Sequence, residues 1–147
     1  MIIRFAKTTD LSQIIDLCEQ HAKFEHAEFE KKDKEKLLME SIFGEFPSLK
    51  CLVVVSENTI VGYATYMKQF STWNADSYIY LDCLFLTEKT RGEGLGTALM
   101  EKIKEYTKTE NCTIIQWQTP CFNKKAIRFY QKIGGVSKTK ERFSMNI

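Results

Sequence analysis

Apolar residues form short runs in some parts of the chain and helical spacings in others. Runs rich in β-branched and aromatic residues predict strands at 2–6, 51–55, 60–66, 78–86, 113–117 and 142–147. The pair Glu57-Asn58 separates the second run from the third and suits a hairpin turn. Strands therefore come early in the chain and in close succession.

Apolar residues three or four positions apart predict the helices. The first helix begins near residue 11, where Thr9 or Asp10 can act as its cap. Further helices are predicted at 24–43, 95–106 and 123–133. Early strands followed by a strand–helix–strand–helix–strand unit favour an α/β (α+β) fold. Its central sheet is mixed and mostly antiparallel, with helices on both faces.

Length and composition predict a single domain covering residues 1–147, because no linker or internal repeat interrupts the chain. Hydrophobic residues make up 44% of the sequence and the formal net charge is +2, with both signs interleaved. This pattern lacks the basic stripe of a nucleic-acid-binding protein. No apolar run resembles a membrane span or a signal peptide. We expect a cytoplasmic protein that binds neither nucleic acid nor membrane.

The five cysteines at 18, 51, 83, 112 and 121 are odd in number and form no CxxC pair. They indicate free thiols in a reducing compartment rather than a disulfide framework or a zinc site. The spacing of histidines and cysteines does not suggest metal ligands, and we expect no metal.

The most informative segment is 87–98, where Gly92, Gly94 and Gly96 lie between an apolar strand and an amphipathic helix. Glycines at alternate positions allow a sharp turn whose N–H groups face outward at the positive end of a helix dipole. Such a loop suits a pyrophosphate, and Arg91 adds a positive charge. A flexible turn before a helix is the alternative for this segment alone. The spacing matches neither a Walker A loop nor a dinucleotide fingerprint.

Two blocks of sequence resemble the GNAT acetyltransferase superfamily. Residues 91–96 (RGEGLG) are similar to its Arg/Gln-x-x-Gly-x-Gly/Ala signature. Residues 123–134 (NKKAIRFYQKIG) resemble its motif B, with an asparagine, Ala-x-x-Phe-Tyr and a following glycine. Shorter segments along nearly the whole chain resemble the diamine (spermidine/spermine) N-acetyltransferase subfamily.

The resemblance implies the GNAT fold and an enzyme that uses acetyl-CoA as co-substrate. Its acceptor would be the primary amine of a small aminoalkyl molecule: a polyamine, a diamine or a thialysine-like compound. The resemblance also implies a possible homodimer. It assigns cofactor binding to the end of the fourth strand, the glycine loop and the start of motif B, at residues Leu84, Phe85, Leu86, Arg91, Gly92, Glu93, Gly94, Leu95, Gly96, Thr97 and Asn123.

Asp82 and Tyr130 are the predicted catalytic residues. A primary amine with a pKa of about 10 is protonated at neutral pH, so a base must take its proton. Asp82 lies where the subfamily has a glutamate, and its shorter side chain would act through a water or only anchor the ammonium. Tyr130 would protonate the leaving thiolate, although a tyrosine at helical spacing also suits a core position. A backbone N–H near Leu84 would hold the oxyanion.

Glu25, Glu28 and Trp73 are predicted to bind the acceptor together with Asp82. The glutamates also suit an exposed helix, and Trp73 also suits a residue that covers an edge. Strand alternation directs Cys83 to the face opposite Asp82, and no histidine is expected to activate it, so Cys83 is predicted to be structural.

Two alternatives to small-amine acetylation stay open. One is acetylation of a protein lysine or N terminus, which the acidic residues around the first helix disfavour. The other is a non-catalytic acetyl-CoA sensor, which the presence of both Asp82 and Tyr130 disfavours.

Overall fold

A computed structural model describes residues 1–147. Five strands and four helices follow one another in the order β1 (Ile2–Phe5), α1 (Leu11–Phe24), α2 (Lys34–Phe43), β2 (Lys50–Ser56), β3 (Thr59–Ser71), β4 (Asp76–Leu86), α3 (Leu95–Thr109), β5 (Ile115–Gln116) and α4 (Lys124–Lys132). Single turns of 3-10 helix precede α1 at Thr8–Asp10 and follow β4 at Glu88–Thr90.

All five strands form one sheet in the order β1-β2-β3-β4-β5. Each neighbouring pair from β1 to β4 is antiparallel, whereas β5 runs parallel to β4. The predicted mixed and mostly antiparallel sheet is therefore confirmed.

The sheet separates two apolar clusters, so helices cover both of its faces as predicted. On one face Ile14 and Leu17 of α1 pack against side chains of β2, β3 and β4, among them Tyr63 and Phe85. On the other face the packing is against α3, whose buried side chains are Leu99, Met100 and Ile103. The sheet is therefore buried on both sides in its centre. None of the helices is long and apolar enough to cross a membrane.

The single helix predicted over 24–43 is wrong, because the chain leaves helical geometry between α1 and α2. His26 and Asp33 both have left-handed φ angles, of 58° and 59°, which a continuous α-helix does not allow. Residues 25–33 are mostly charged and offer almost no apolar side chains to bury. Nothing therefore holds this stretch in a helix against the rest of the fold.

The final strand predicted at 142–147 is absent from the chain's own sheet, and the strand predicted at 113–117 is reduced to two residues. Segment 136–147 has no regular secondary structure, and the side chain of Phe143 is 91% exposed. A strand needs a neighbour to pair its backbone groups, and none is present for this segment. The alternation of Phe143, Met145 and Ile147 is a genuine strand pattern without a partner in the same chain.

Asp10 ties the first strand to the first helix. Its carboxylate accepts hydrogen bonds from Arg4 Nη1 at 2.6 Å, from Arg4 Nη2 at 3.1 Å and from the backbone N–H of Lys7 at 2.7 Å. The side chain is 8% exposed. The hydrogen bonds from Arg4 hold the pKa of this carboxyl below its usual range, and the N–H of Lys7 adds to the effect.

Replacing Asp10 by asparagine is expected to destabilise the protein at pH 7 by about 1–2 kcal/mol, because a charge-assisted pair is lost. The pKa of Asp10 is lower in the folded chain, so its contribution is present above an unfolded pKa of about 3.9. It is lost as the pH falls through the folded value. Urea unfolding at pH 7 and pH 3 measures both effects. Asp16→Asn, at an exposed ion pair with Lys31, is the control and should change stability little.

Candidate active site

One edge of β4 is open over half of its length. The strand pairs with β5 only at Ile79 and Tyr80, while its other edge stays paired with β3 as far as Leu86. Arg91 Nε donates a hydrogen bond to the carbonyl oxygen of Leu86 at 2.9 Å on this open side. Alternate residues of a strand direct their backbone groups to the same edge, so Leu84 shares the open edge with Leu86. An extended ligand can therefore pair with this part of β4.

A β-bulge lies where the open edge begins. Thr65 is opposite Cys83 and Tyr66 is opposite Leu81, so Asp82 is an extra residue without a partner on β3. The bulge interrupts strand alternation at this point. Asp82 and Cys83 consequently project to the same face, where Cys83 Sγ is 3.7 Å from Asp82 Oδ2. The prediction that Cys83 points away from Asp82 is wrong for this reason.

The glycine loop presents a row of free donors. Gly92 and Gly94 have φ angles of 87° and 77°, in the region that favours glycine, and a Cβ at either position would meet only open space. None of the backbone or side-chain hydrogen bonds uses the N–H groups of residues 92–97. These six groups lie at the start of the 15-residue helix α3, where the helix dipole favours an anion. The predicted anion-binding geometry of the loop is present.

Arg91 contacts groups other than the glycine loop. Besides its hydrogen bond to Leu86, its guanidinium lies 4.5 Å from the ring centre of Phe24 and 5.4 Å from that of Phe85. It therefore joins the end of β4 to the end of α1 through cation–π contacts. This arrangement differs from the predicted placement of Arg91 as a positive charge at the loop's mouth.

Helix α4 packs beside the glycine loop through Phe129. Asn123 caps it, because its side-chain oxygen accepts a hydrogen bond from the N–H of Ala126 at 3.3 Å. Phe129 packs on the core next to α3, and a Cβ at Gly96 would lie 3.0 Å from its ring. Residue 96 must therefore be small, because the ring of Phe129 occupies the space that a side chain would fill.

Tyr130 projects from α4 toward the α1 side of the open edge. Its ring makes an edge contact with Trp117, with centroids 5.2 Å apart. Burial raises the pKa of Tyr130 to about 12, and the negative charge of Glu25 lies near enough to add to the shift. The phenol is therefore protonated throughout the neutral range and is a hydrogen-bond donor.

The last turn of α1 contributes a histidine that the sequence prediction left without a role. His21 lies between Tyr63 Oη, 3.0 Å from its Nδ1, and Glu25 Oε1, 3.2 Å from its Nε2. Its ring also stacks on Phe85 with centroids 5.1 Å apart. The sequence does contain a signal for this position, because residue 21 lies seven positions after Ile14 and therefore on the buried face of α1.

The remaining predicted acceptor residues lie elsewhere. Glu28 is exposed in the segment between α1 and α2. Trp73 is 99% exposed in the turn between β3 and β4, and six positions of strand lead from Asp76 at the end of this turn to Asp82. At about 3.3 Å per residue of strand, Trp73 lies far from the open edge within one chain. Glu25 lies near Tyr130, and Asp82 lies beside Cys83 on the same side of the sheet, whereas Glu28 and Trp73 lie away from them. Groups of histidine, cysteine and acidic residues that could hold a metal ion are absent.

Comparison with known proteins identifies the family to which this fold and its glycine loop belong. Residues 11–135 match the Acetyltransferase (GNAT) family. The chain therefore belongs to the GNAT family and is an acetyltransferase that acts on amines. The family uses acetyl-CoA.

Two relatives are similar to nearly the whole of this chain. Thialysine N-epsilon-acetyltransferase of Mus musculus is 29% identical over 145 residues, which are 93% of this chain and 85% of the mouse protein. Spermidine/spermine N(1)-acetyltransferase-like protein 1 of Homo sapiens is 23% identical over 95% of this chain, but the match covers only 21% of the human protein.

Solved structures agree on the fold. The structure of a tetramutant of the BH1408 protein from Bacillus halodurans is similar to this chain, with a TM-score of 0.81 and 25% sequence identity over 100% of each chain. The aminoglycoside N-acetyltransferase AAC(6')-Iy in complex with CoA has a TM-score of 0.77 at 15% identity, over 99% of each chain. The second likeness is one of fold alone.

Cys83 is expected to react slowly with iodoacetamide at pH 7.5. Burial raises the pKa of Cys83 and of Cys51 to about 12, which leaves very little thiolate. The exposed Cys121 should be alkylated first, and Cys83 about a hundredfold more slowly. Peptide mapping by mass spectrometry gives both rates. Preferential labelling of Cys83 would contradict its structural role and indicate a reactive thiolate beside Asp82.

Proposed function

We propose that this enzyme transfers the acetyl group of acetyl-CoA directly to the primary amine of a small aminoalkyl acceptor of the polyamine, diamine or thialysine type. The proposal rests on the observation that three features lie on the same part of the molecule. These are the open edge of β4, the free donors of residues 92–97, and the carboxylate of Glu25 near the phenol of Tyr130, with Asp82 beside Cys83 on the same side of the sheet. The proposed enzyme is a single domain of residues 1–147.

The residues present suit acetyl-CoA. Two of its phosphates would accept hydrogen bonds from the N–H groups of the glycine loop, and the open edge at Leu84 and Leu86 supplies backbone groups for its amide-containing arm. Asn123 has its side-chain oxygen engaged in the cap, which leaves the amide NH₂ for a ligand. Acetyl-CoA would supply the acetyl group as a thioester.

Three groups of the chain carry the proposed chemistry. Asp82 takes a proton from the acceptor ammonium, directly or through a water, or holds that ammonium in place. The N–H of Leu84 donates to the carbonyl oxygen as negative charge develops on it. Tyr130 donates a hydrogen bond to the departing sulfur. A phenol with a pKa of about 12 is a weaker acid than a thiol of about 8.5, so it stabilises the thiolate without fully giving up its proton.

The charge of the pocket supports a cationic acceptor. Asp82 and Glu25 bring two carboxylates to the α1 side of the open edge, where an ammonium group would meet them. The likeness to thialysine N-epsilon-acetyltransferases, at 29% identity over nearly the whole chain, supports a compact aminoalkyl acceptor over a protein substrate. Five free cysteines agree with a reducing, cytoplasmic location.

A coenzyme A release assay against a panel of amines tests the proposal. The panel holds spermidine, spermine, putrescine, thialysine, lysine, an aminoglycoside and a lysine-bearing peptide. We expect turnover on thialysine or a polyamine. Tyr130→Phe and Asp82→Asn should each lower kcat/KM by about 10²–10⁴, the range of a lost acid or base.

Matched controls are Tyr78→Phe and Asp76→Asn, which alter a half-buried and an exposed residue at the far end of β4 and should leave kcat/KM unchanged. Turnover restricted to the peptide would replace the small-amine proposal by protein acetylation. Silence on the whole panel, with acetyl-CoA still bound, would refute the proposed acceptor class.

We also propose a homodimer in which segment 142–147 supplies the strand missing from the chain's own sheet. Phe143, Met145 and Ile147 are almost fully exposed and share one side of an extended strand. Strand β5 is the last in the sheet, so its outer edge has no strand partner. An unpaired strand sequence and an unpaired sheet edge on the same chain are complementary between two copies.

Replacing Phe143 and Met145 together by aspartate should convert the dimer to monomer, because two charges would enter the apolar side of the added strand. The matched control is Ser144→Asp with Asn146→Asp, which alters the alternate side. Light scattering after size-exclusion chromatography gives the mass of each variant. A monomeric wild-type protein at micromolar concentration would overturn the proposed dimer.

A further inference from the structure

His21 occupies a bridging position that the proposed chemistry does not use. Its Nδ1 lies 3.0 Å from the hydroxyl of Tyr63, and its Nε2 lies 3.2 Å from Glu25 Oε1. Tyr63 is 2% exposed, and the side chain of His21 is only 14% exposed. One end of the bridge is fixed in the core of the sheet and the other reaches the acceptor side of the pocket.

The partners determine how His21 carries its protons. A carboxylate accepts hydrogen bonds only, so Nε2 donates its proton to Glu25. In the neutral ring Nδ1 is then the acceptor, and the hydroxyl of Tyr63 donates to it. Burial raises the pKa of Tyr63 far above its usual value, so its proton is always present. The doubly protonated ring is also accommodated, because the phenol oxygen can accept from Nδ1 and turn its own proton to the thiols of Cys18 or Cys83.

The groups around His21 are mostly acidic and suit a cationic acceptor. Glu25 faces it from α1, and Asp82 lies beyond Cys83 on β4. Tyr130 on α4 lies near the charge of Glu25, and the guanidinium of Arg91 lies 5.4 Å from the ring centre of Phe85. The hydrogen bond from His21 uses only Oε1 of Glu25, so the second carboxylate oxygen is left for the acceptor.

We propose that His21 is a positioning residue which aims Glu25 at the acceptor ammonium. The inference rests on the proposed function. The hydrogen bond from Nε2 holds one oxygen of the Glu25 carboxylate, and the hydrogen bond between Nδ1 and Tyr63 fixes the ring against the core. Loss of these bonds raises KM for the amine, because the carboxylate no longer keeps one orientation, while binding of acetyl-CoA is unaffected.

Two substitutions at His21 separate positioning from mere packing. Glutamine carries both a donor and an acceptor, so His21→Gln should keep KM for the amine within about threefold of wild type. His21→Leu removes both hydrogen bonds and should raise this KM about tenfold, with a smaller effect on kcat. His26→Gln alters the other histidine of the chain, which packs on Phe122, and should retain the wild-type KM.

The outcomes distinguish this inference from the proposed function. If the wild-type enzyme acetylates no amine of the panel, the proposed function fails. If it acetylates an amine but His21→Leu keeps the wild-type KM for that amine, only the role of His21 fails. A uniform loss of kcat in both His21 variants with unchanged KM would also overturn it, since that pattern indicates a structural role.

Discussion

The β-bulge at Asp82 is the constraint on which the site depends. A regular β4 would keep its alternation with β3 and would place Asp82 and Cys83 on opposite faces. The extra residue brings both to the α1 side, in reach of Tyr63, and it precedes the stretch in which β4 has left β5. One inserted residue thus supplies the acidic group, while the separation of the two strands supplies the open backbone edge beside it. Bulges commonly redirect side chains in this way next to active sites.

Helix α1 serves both the core and the pocket. Its buried side chains, Ile14 and Leu17, pack on the sheet, and the same helical face continues to His21 in the last turn. Phe24 then meets the guanidinium of Arg91, which is itself bound to the end of β4. The acceptor side of the pocket is therefore positioned by the same packing that stabilises the fold. Only the charged segment after α1 is free of this packing.

Local patterns in the sequence predict the elements that pack locally. The strands at 51–55 and 60–66 and the helix after the glycine loop are confirmed because periodicity and burial coincide there. The helix over 24–43 and the strand at 142–147 fail because each needs a partner that propensity does not reveal. The resemblance to the family's motifs predicts that Tyr130, Asp82 and Glu25 belong to one site. The bulge and the contact between His21 and Tyr63 are not predicted, because they depend on strand register. Register depends on the whole sheet, which no single window of sequence contains.

Gly96 lies so close to Phe129 that a side chain at residue 96 and the ring of Phe129 would occupy the same space. A methyl group at residue 96 would fall 3.0 Å from the tip of the ring. The two positions should therefore vary together in descendants of this chain, with a larger residue at 96 accompanied by a smaller one at 129. Gly96 of the signature and Phe129 of the second block are therefore expected to change together rather than independently. A substitution selected in the cofactor loop would then be accompanied by one in α4, about thirty residues further along the chain.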